Sequence, residues 1–480
     1  MRSSPGVMVF RGLRLAFTIW CLSGLSVHGA PEMLIESFDV VGDGTGAADI
    51  YMVSQNTDYW VKDPMGRQTL ILSASDQNAV ILKLDHTLNV TWAVNYKLEY
   101  QVSWLFFYGC VYHKGVLYAV GKIEGSGTFE GTQLATDYQQ IITAYNATNG
   151  NLLWHDIDPT NTPDGVNDQF TGYEVAMLDG KVLVLGRSGR DGFANAPFRY
   201  LNFRIYETNG TKVQFVNSTG GSVDEFYFSP CDYSTNPDTT VCDHTNFISF
   251  PFLKVFNGTE IYVMSYLTMN RTYQSYKPIV MRFDFVDGTL NFTWKYEDFF
   301  DYVDPTTLSP TATRDITGYY MAPAESVVAV GFRGPCSILS FSFNDLYSCP
   351  HQILLSRANG TFTGNYLPNT QQQIFKSQYG QPAAYQLSNG TWFTAGNSGQ
   401  SQARVFYAKY TPSASVDEQT TEFYPTGCDL ALGDPKNAKI DVTTADTTLQ
   451  WYTTGTAGSD DAGTLIKYEY GNAGECVQIP

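Results

Sequence analysis

Short runs of β-branched and aromatic residues, each closing on a small residue, recur along the whole chain: TLILS to Ser73, VLYAVG to Gly121, KVLVLG to Gly186, EIYVMS to Ser265, SVVAVG to Gly331, TWFTAG to Gly396 and QWYTTG to Gly455. Most follow a polar turn signal: HKG at 113–115, LDG at 178–180, FNG at 256–258 or SNG at 388–390. Gly, Asn and Asp in such signals supply the positive φ of tight hairpins, so each run reads as a strand leaving a turn. The small residues lie 48, 65, 79, 66, 65 and 59 residues apart. Seven copies at that interval describe one supersecondary unit used repeatedly.

Each run is followed by a second apolar strand, a turn, and often a strand carrying Trp, as in ILKLDHTLNVTW to Trp92, ITAYNATNGNLLW to Trp154 and RFDFVDGTLNFTW to Trp294. A repeat therefore reads as four antiparallel strands. Such sheets expose edges and faces, and packing them radially around an axis covers both. The expected fold is all-β, a seven-bladed β-propeller of four-stranded antiparallel blades, with blades near 49–98, 99–160, 168–222, 244–303, 314–368, 372–428 and 435–480. The segment MLIESFDVV at 33–41 precedes the first blade and is expected to pair with C-terminal strands and close the ring. The three Trp side chains are expected to wedge between blades, and the small residues to mark close packing.

An apolar strand, an Asp/Asn-Gly turn and a Trp on the outer strand resemble the repeats of quinoprotein-type propellers. The resemblance covers most of the chain. It implies the propeller architecture and, as an alternative function, a quinone-dependent dehydrogenase, although the vicinal cysteine pair of one branch of that family is missing here.

The two ends and the composition set the compartment. Arg2, Arg11 and Arg14, the apolar run Leu15–Leu25 and the small residues Gly29 and Ala30 form a secretory leader, too short for a membrane span. The expected division is a signal peptide at 1–29 and a single propeller domain at 30–480, secreted or in the lumen of the secretory pathway. Nine N-x-S/T triplets begin at Asn89, Asn146, Asn209, Asn217, Asn257, Asn270, Asn291, Asn359 and Asn389, most in or beside turns where a glycan points outward. In an oxidising compartment Cys231 with Cys242, Cys336 with Cys349, and Cys428 with Cys476 are expected to pair, leaving Cys110 as a buried thiol. The net charge of −18 becomes −21 without the three leader arginines. A surface that acidic repels phosphate backbones and anionic headgroups, which argues against nucleic acid and membrane insertion.

Catalytic templates fail: there is no GxSxG, HExxH, Walker loop or dinucleotide fingerprint. The five mature histidines, His86, His113, His155, His244 and His351, are scattered, so no metal is expected from them. Oxygen-rich turns at 42–49, 156–168 and 458–463 leave Ca2+ possible, but none has EF-hand spacing. The local feature that singles itself out follows the repeated small residue, where Lys122, Arg187, Arg190, Arg333 and Asn397 fall in what read as equivalent loops of different blades. Basic groups are scarce, and gathering them on one face suits an acidic or polyhydroxyl ligand. The expected function is a secreted glycosylated module binding an extracellular protein or glycan, without a cofactor; the alternative is a propeller enzyme, quinone-dependent or glycan-processing.

Overall fold

The computed structural model describes strands and tight turns between Leu34 and Tyr470; residues 1–33 and 471–480 and the longer connections, among them 158–168, 190–199, 229–247, 298–316, 335–348, 367–382, 411–420 and 426–436, lie outside the described residues. Every described element is a strand. The first sheet joins β1 (Leu34–Gly42), β2 (Ala48–Gln55), β5 (Ala79–Leu84) and β6 (Val90–Tyr96), with a side hairpin of β3 (Tyr59–Lys62) and β4 (Gln68–Leu72). The second runs β7 (Val102–His113), β8 (Val116–Gly125), β11 (Gln139–Asn146) and β12 (Leu152–Ile157), with a side hairpin of β9 (Thr128–Phe129) and β10 (Thr132–Gln133). The third runs β13 (Gln169–Leu178), β14 (Lys181–Gly189), β15 (Tyr200–Tyr206) and β16 (Lys212–Val213); a lateral hairpin of β17 (Phe215–Val216) and β18 (Ser222–Val223) follows, and β19 (Phe226–Phe228) returns to pair with β15.

The fourth sheet is β20 (Ile248–Phe256), β21 (Glu260–Asn270), β22 (Ser275–Val286) and β23 (Thr289–Tyr296), and the fifth is β24 (Thr317–Pro323), β25 (Val327–Gly334), β26 (Cys349–Ser356) and β27 (Phe362–Tyr366). The sixth is β28 (Ala383–Gln386), β29 (Trp392–Ser398), β30 (Arg404–Tyr410) and β31 (Thr421–Pro425), and the seventh, among the described residues, has three strands, β32 (Asn437–Thr444), β33 (Thr448–Ala457) and β34 (Ala462–Tyr470). First strands lie side by side in chain order, β1 by β7, then β13, β20, β24, β28 and β32, and β32 returns to β1.

Two sequence expectations need correction. The segment at 33–41 pairs with β2 as the first strand of the first sheet, not with C-terminal strands, so that sheet begins before residue 49. The first copy of the repeated run is therefore IYMVS to Ser54, which pairs with Ile35 and Val80, whereas TLILS forms the side hairpin. Taking Ser54 instead of Ser73 lengthens the first interval from 48 to 67 residues, in line with the others. TLILS carries the same β-forming residues, and composition alone cannot tell a sheet strand from a side hairpin.

The repeated small residue has a local cause. Opposite it the first strand carries an extra residue: the register slips at Ile35/Ser37, Phe107/Gly109, Gly172/Glu174, Ser249/Phe252 and Gly318/Tyr320. A bulge pushes one backbone toward its neighbour. A Cβ on Gly121 would overlap the Phe106 carbonyl, and one on Gly186 would meet the Thr171 carbonyl at 2.6 Å.

Neighbouring sheets lock through their outer strands. Trp92, Trp154 and Trp294, on the fourth strands of the first, second and fourth sheets, lie on Gly150, Gly210 and Gly360 of the next sheet's third-to-fourth turn. Each indole nitrogen donates to a carbonyl of that turn: to Ala147 at 3.0 Å, Thr208 at 2.9 Å and Arg357 at 3.1 Å. Each of those glycines has positive φ, which suits a residue without Cβ. The expected wedging of the Trp residues takes this form.

The two ends of the sheets differ. In the first five sheets the first-to-second and third-to-fourth connections take two to five residues, whereas the second-to-third connections and the passages between sheets are generally longer and hold both side hairpins. The short turns gather at one end: Ala147 donates its N–H to Gly115, Phe285 to Thr259 and Arg357 to Ser326. The second-to-third connections leave from the opposite end.

Candidate binding site

Lys122 and Arg187 both sit one residue beyond the repeated glycine, toward the long-connection end. They lie in strands, not loops: β8 and β14 continue past Gly121 and Gly186, with Lys122 opposite Phe106 and Gln140, and Arg187 opposite Thr171 and Leu201. The bulge residues are aromatic here. Tyr108 and Tyr173, one from each first strand, stack at 5.2 Å between ring centres, and Phe106 stacks beside Tyr108 at 6.3 Å. The Lys122 ammonium stands 5.2 Å from the Phe106 ring centre and 5.9 Å from that of Tyr108, and the Arg187 guanidinium 4.8 Å from that of Tyr173. A cation over a ring contributes roughly 0.5–1 kcal/mol when exposed and more when desolvated. Together these five side chains make a ladder with a cation at each end, spanning the second and third sheets.

Behind Lys122 lies Gln140, buried at 2% exposure, with no hydrogen-bond partner for either carboxamide atom among the described residues. Its side chain enters the space left by Gly172 and Gly186, which pair with each other on the third sheet. Asn202, opposite Gly186, belongs to the same row. It donates from Nδ2 to Glu225 Oε2 at 3.2 Å, and Glu225 also receives Arg204 and the Tyr227 hydroxyl. Arg204 is only 1% exposed, so this ion pair is an internal strut of the third sheet. The gap between the second and third sheets is thus polar beneath the aromatic ladder and apolar toward the short-turn end, where Tyr118, Val120, Val182, Val184 and Tyr206 pack.

Arg333 lies in β25 opposite Thr317 and Pro350, and Asn397 in β29 opposite Val405. Asn397, like Lys122 and Arg187, follows its glycine by one residue, but Arg333 follows Gly331 by two. The first-strand bulge of the fifth sheet also falls one residue later, with Phe332 opposite Gly318 as Gly121 is opposite Phe107 and Gly186 opposite Gly172, so Arg333 holds the same place in its ladder as Lys122 and Arg187. Arg190 lies outside the described residues, as do Cys231, Cys242, Cys336, Cys428 and Cys476; Cys349 begins β26, and no disulfide is found among the described residues. Cys110 is buried, its sulfur 3.8 Å from the Tyr51 carbonyl oxygen and 3.9 Å from the Ser37 hydroxyl. No group of three or more His, Cys, Asp or Glu gathers among the described residues, and no helix long and apolar enough to cross a membrane occurs among them.

Sequence reasoning missed Phe106, Tyr108, Tyr173 and Gln140. The signal was an aromatic residue touching a glycine, Tyr108–Gly109 and Gly172–Tyr173, ahead of each repeated run; this is how an aromatic bulge looks in one dimension.

No family model matches the chain, and no curated protein matches it. Among solved structures, it is similar to a protein of unknown function from Dyadobacter fermentans, at 8% identity and a TM-score of 0.38 over 73% of this chain and 90% of that one. It is also similar to BamB from Moraxella catarrhalis, at 11% identity and a TM-score of 0.37 over 90% and 82%. A B. subtilis levansucrase variant is similar at 9% identity and a TM-score of 0.34, over 63% and 82%.

Proposed function

We propose that the seven successive sheets are the blades of one β-propeller spanning residues 30–480, exported by the leader at 1–29, and that the protein is a non-catalytic module binding an extracellular protein or glycan at its long-connection end. The return of β32 to β1 supports ring closure, because a row of sheets whose last first-strand meets the first has no open edge. The observation that carries the binding role is the ladder of Lys122, Phe106, Tyr108, Tyr173 and Arg187, at the end where the rigid sheets carry their long connections and side hairpins. Long connections on a rigid frame are where recognition concentrates. Stacked aromatic faces flanked by cations suit acidic sugars, since ring faces receive the C–H face of a sugar while cations receive its carboxylate.

The test uses protein secreted from a eukaryotic host and an array of neutral and uronic-acid glycans. Binding to acidic glycans should weaken about tenfold or more, roughly 1.4 kcal/mol, in the Lys122→Ala/Arg187→Ala double variant, with thermal stability nearly retained. Unchanged binding in that variant removes the ladder from consideration. Turnover of a sugar or alcohol, with or without added quinone, would overturn the non-catalytic reading.

A further inference from the structure

The acceptor triplets are not spread evenly over the molecule. Asn146 and the turn it opens, Asn209 and Asn359 belong to the third-to-fourth turns of the second, third and fifth sheets, Asn257 to the first-to-second turn of the fourth, and Asn291 lies three residues past the Asp287–Gly288 turn. All five are at the short-turn end. Asn89 and Asn389, outside the described residues, fall in the connections β5 to β6 and β28 to β29, which are of the same two kinds; Asn217, also outside them, falls between β17 and β18 in the longer passage from the third sheet to the fourth. Among the described residues only Asn270 lies at the other end, as the last residue of β21, paired in the ladder with Ser275.

We propose that N-linked glycans concentrate at the short-turn end of this protein and leave the cation–aromatic ladder of the long-connection end bare. This rests on the secretory reading above. The turns present their acceptors well. The carboxamide oxygen of Asn209 accepts the Thr211 N–H at 3.0 Å, that of Asn146 accepts the Thr148 N–H at 2.9 Å, and that of Asn359 accepts both the Thr361 N–H at 3.2 Å and its hydroxyl at 2.8 Å. Held by its oxygen in a turn, and exposed at Asn209 and Asn359, the carboxamide offers solvent the nitrogen that carries the sugar. Asn257 is likewise exposed, in a turn at φ +50°. Asn270 instead sits in a strand ladder. A hydrated, mobile glycan layer excludes macromolecules from the surface it covers, so this placement directs docking to the opposite end.

The experiment is glycopeptide mapping of the full-length protein expressed with its own leader in a eukaryotic secretory host, using enzymatic deglycosylation in heavy-oxygen water to mark each used asparagine. The expected result is glycan on most of Asn146, Asn209, Asn257 and Asn359, and none on Asn270. Glycosylated Asn270, or a majority of those four unmodified, overturns the proposal. Sequencing the N-terminus of the same sample separates the two readings: an uncleaved leader on retained protein defeats the secretory reading, whereas a cleaved leader with bare turns defeats only the one-sided coat. A second variant, Glu130→Asn, completes an acceptor triplet with Gly131 and Thr132 on the exposed tip of the β9–β10 hairpin, at the long-connection end. It should gain the mass of one further glycan, which supports acceptor placement as the cause of the bare end. Secreted protein without that gain would show that the end is closed to the transferase and overturn the placement argument.

Discussion

The interface between the fourth and fifth sheets and that between the third and fourth fill the same kind of gap by different means. In the former, Tyr262, Arg282 and Trp294 form one row across the sheet, Trp294 rests on Gly360, and the Arg357 carbonyl accepts both the Trp294 indole N–H at 3.1 Å and Arg282 Nη1 at 2.5 Å. In the latter, the matching row is Leu183, Ile205 and Val213, and the gap is filled by Phe203, Phe226, Phe228, Phe283 and Phe292 with ring centres 4.9–6.5 Å apart. The difference tracks the receiving turn. Where the third-to-fourth connection has five residues, 147–151, 207–211 or 357–361, the preceding sheet presents Trp and a Tyr in its row: Tyr51 with Trp92, Tyr118 with Trp154, Tyr262 with Trp294. Where it is the two-residue turn Asp287–Gly288, the preceding sheet presents neither. A five-residue turn bends far enough to offer a glycine platform and a carbonyl; a two-residue turn offers no such seat, and undirected apolar packing takes over.

Directed and undirected packing should fail differently. Trp294→Ala removes a side chain only 6% exposed together with its hydrogen bond, and should cost about 3–5 kcal/mol by urea denaturation. Next in size, Gly360→Ala adds a Cβ 2.5 Å from Trp294 Cε3 at φ +70°, combining overpacking with backbone strain at about 2–4 kcal/mol. Gly288→Ala, at φ +77° with nothing within 4 Å of the new Cβ, carries the strain alone, about 1–2 kcal/mol. The gap between these two glycine variants measures the latch contact itself, and equal losses would sink the directed reading. On the undirected side, Phe283→Leu keeps the chemistry at a fully buried position and should cost about 1.5 kcal/mol or less, since neighbouring rings can shift.

Much of this was legible in the chain. The Asp/Asn-Gly turns and the runs ending in a small residue located the second strands of six sheets, and Trp92, Trp154 and Trp294 were identifiable as outer-strand residues. Where reading failed, partners distant in sequence decide the outcome. TLILS and IYMVS are both good strands, and only pairing of Ser54 with Ile35 and Val80 tells which one enters the sheet. Lys122 and Arg187 were noticed as cations, but the rings beneath them come from bulges, which are defined by what lies across the ladder and leave no local period. Arg333 shows the cost of counting by motif: it follows its glycine by two residues, yet the bulge of its ladder is displaced by one as well, so its place matches that of Lys122 and Arg187.

The smallest effect in the comparison is silent at neutral pH. Burial raises the phenol pKa of Tyr51, Tyr118 and Tyr262, and that of Tyr145, whose hydroxyl donates to Tyr96 at 2.9 Å between the first and second sheets; for Tyr262 the hydrogen bond to Glu260 at 2.6 Å acts in the same direction. An unfolded tyrosine loses its proton near pH 10. Each of these groups in the folded protein holds its proton to higher pH, so their contribution is complete below about pH 10 and is lost as pH rises above it. Three of the four stand in the Tyr–Trp rows, whereas the corresponding row between the third and fourth sheets carries Leu183 and has no phenol to ionise. Denaturation midpoints from about pH 8 to 11 at constant ionic strength should therefore fall for the native protein, fall less steeply for Tyr262→Phe, and for Phe283→Leu run parallel to the native curve at a lower level. A native curve that stays flat to pH 11, or a Tyr262→Phe curve as steep as the native one, would break the link between the latched interfaces and their buried phenols.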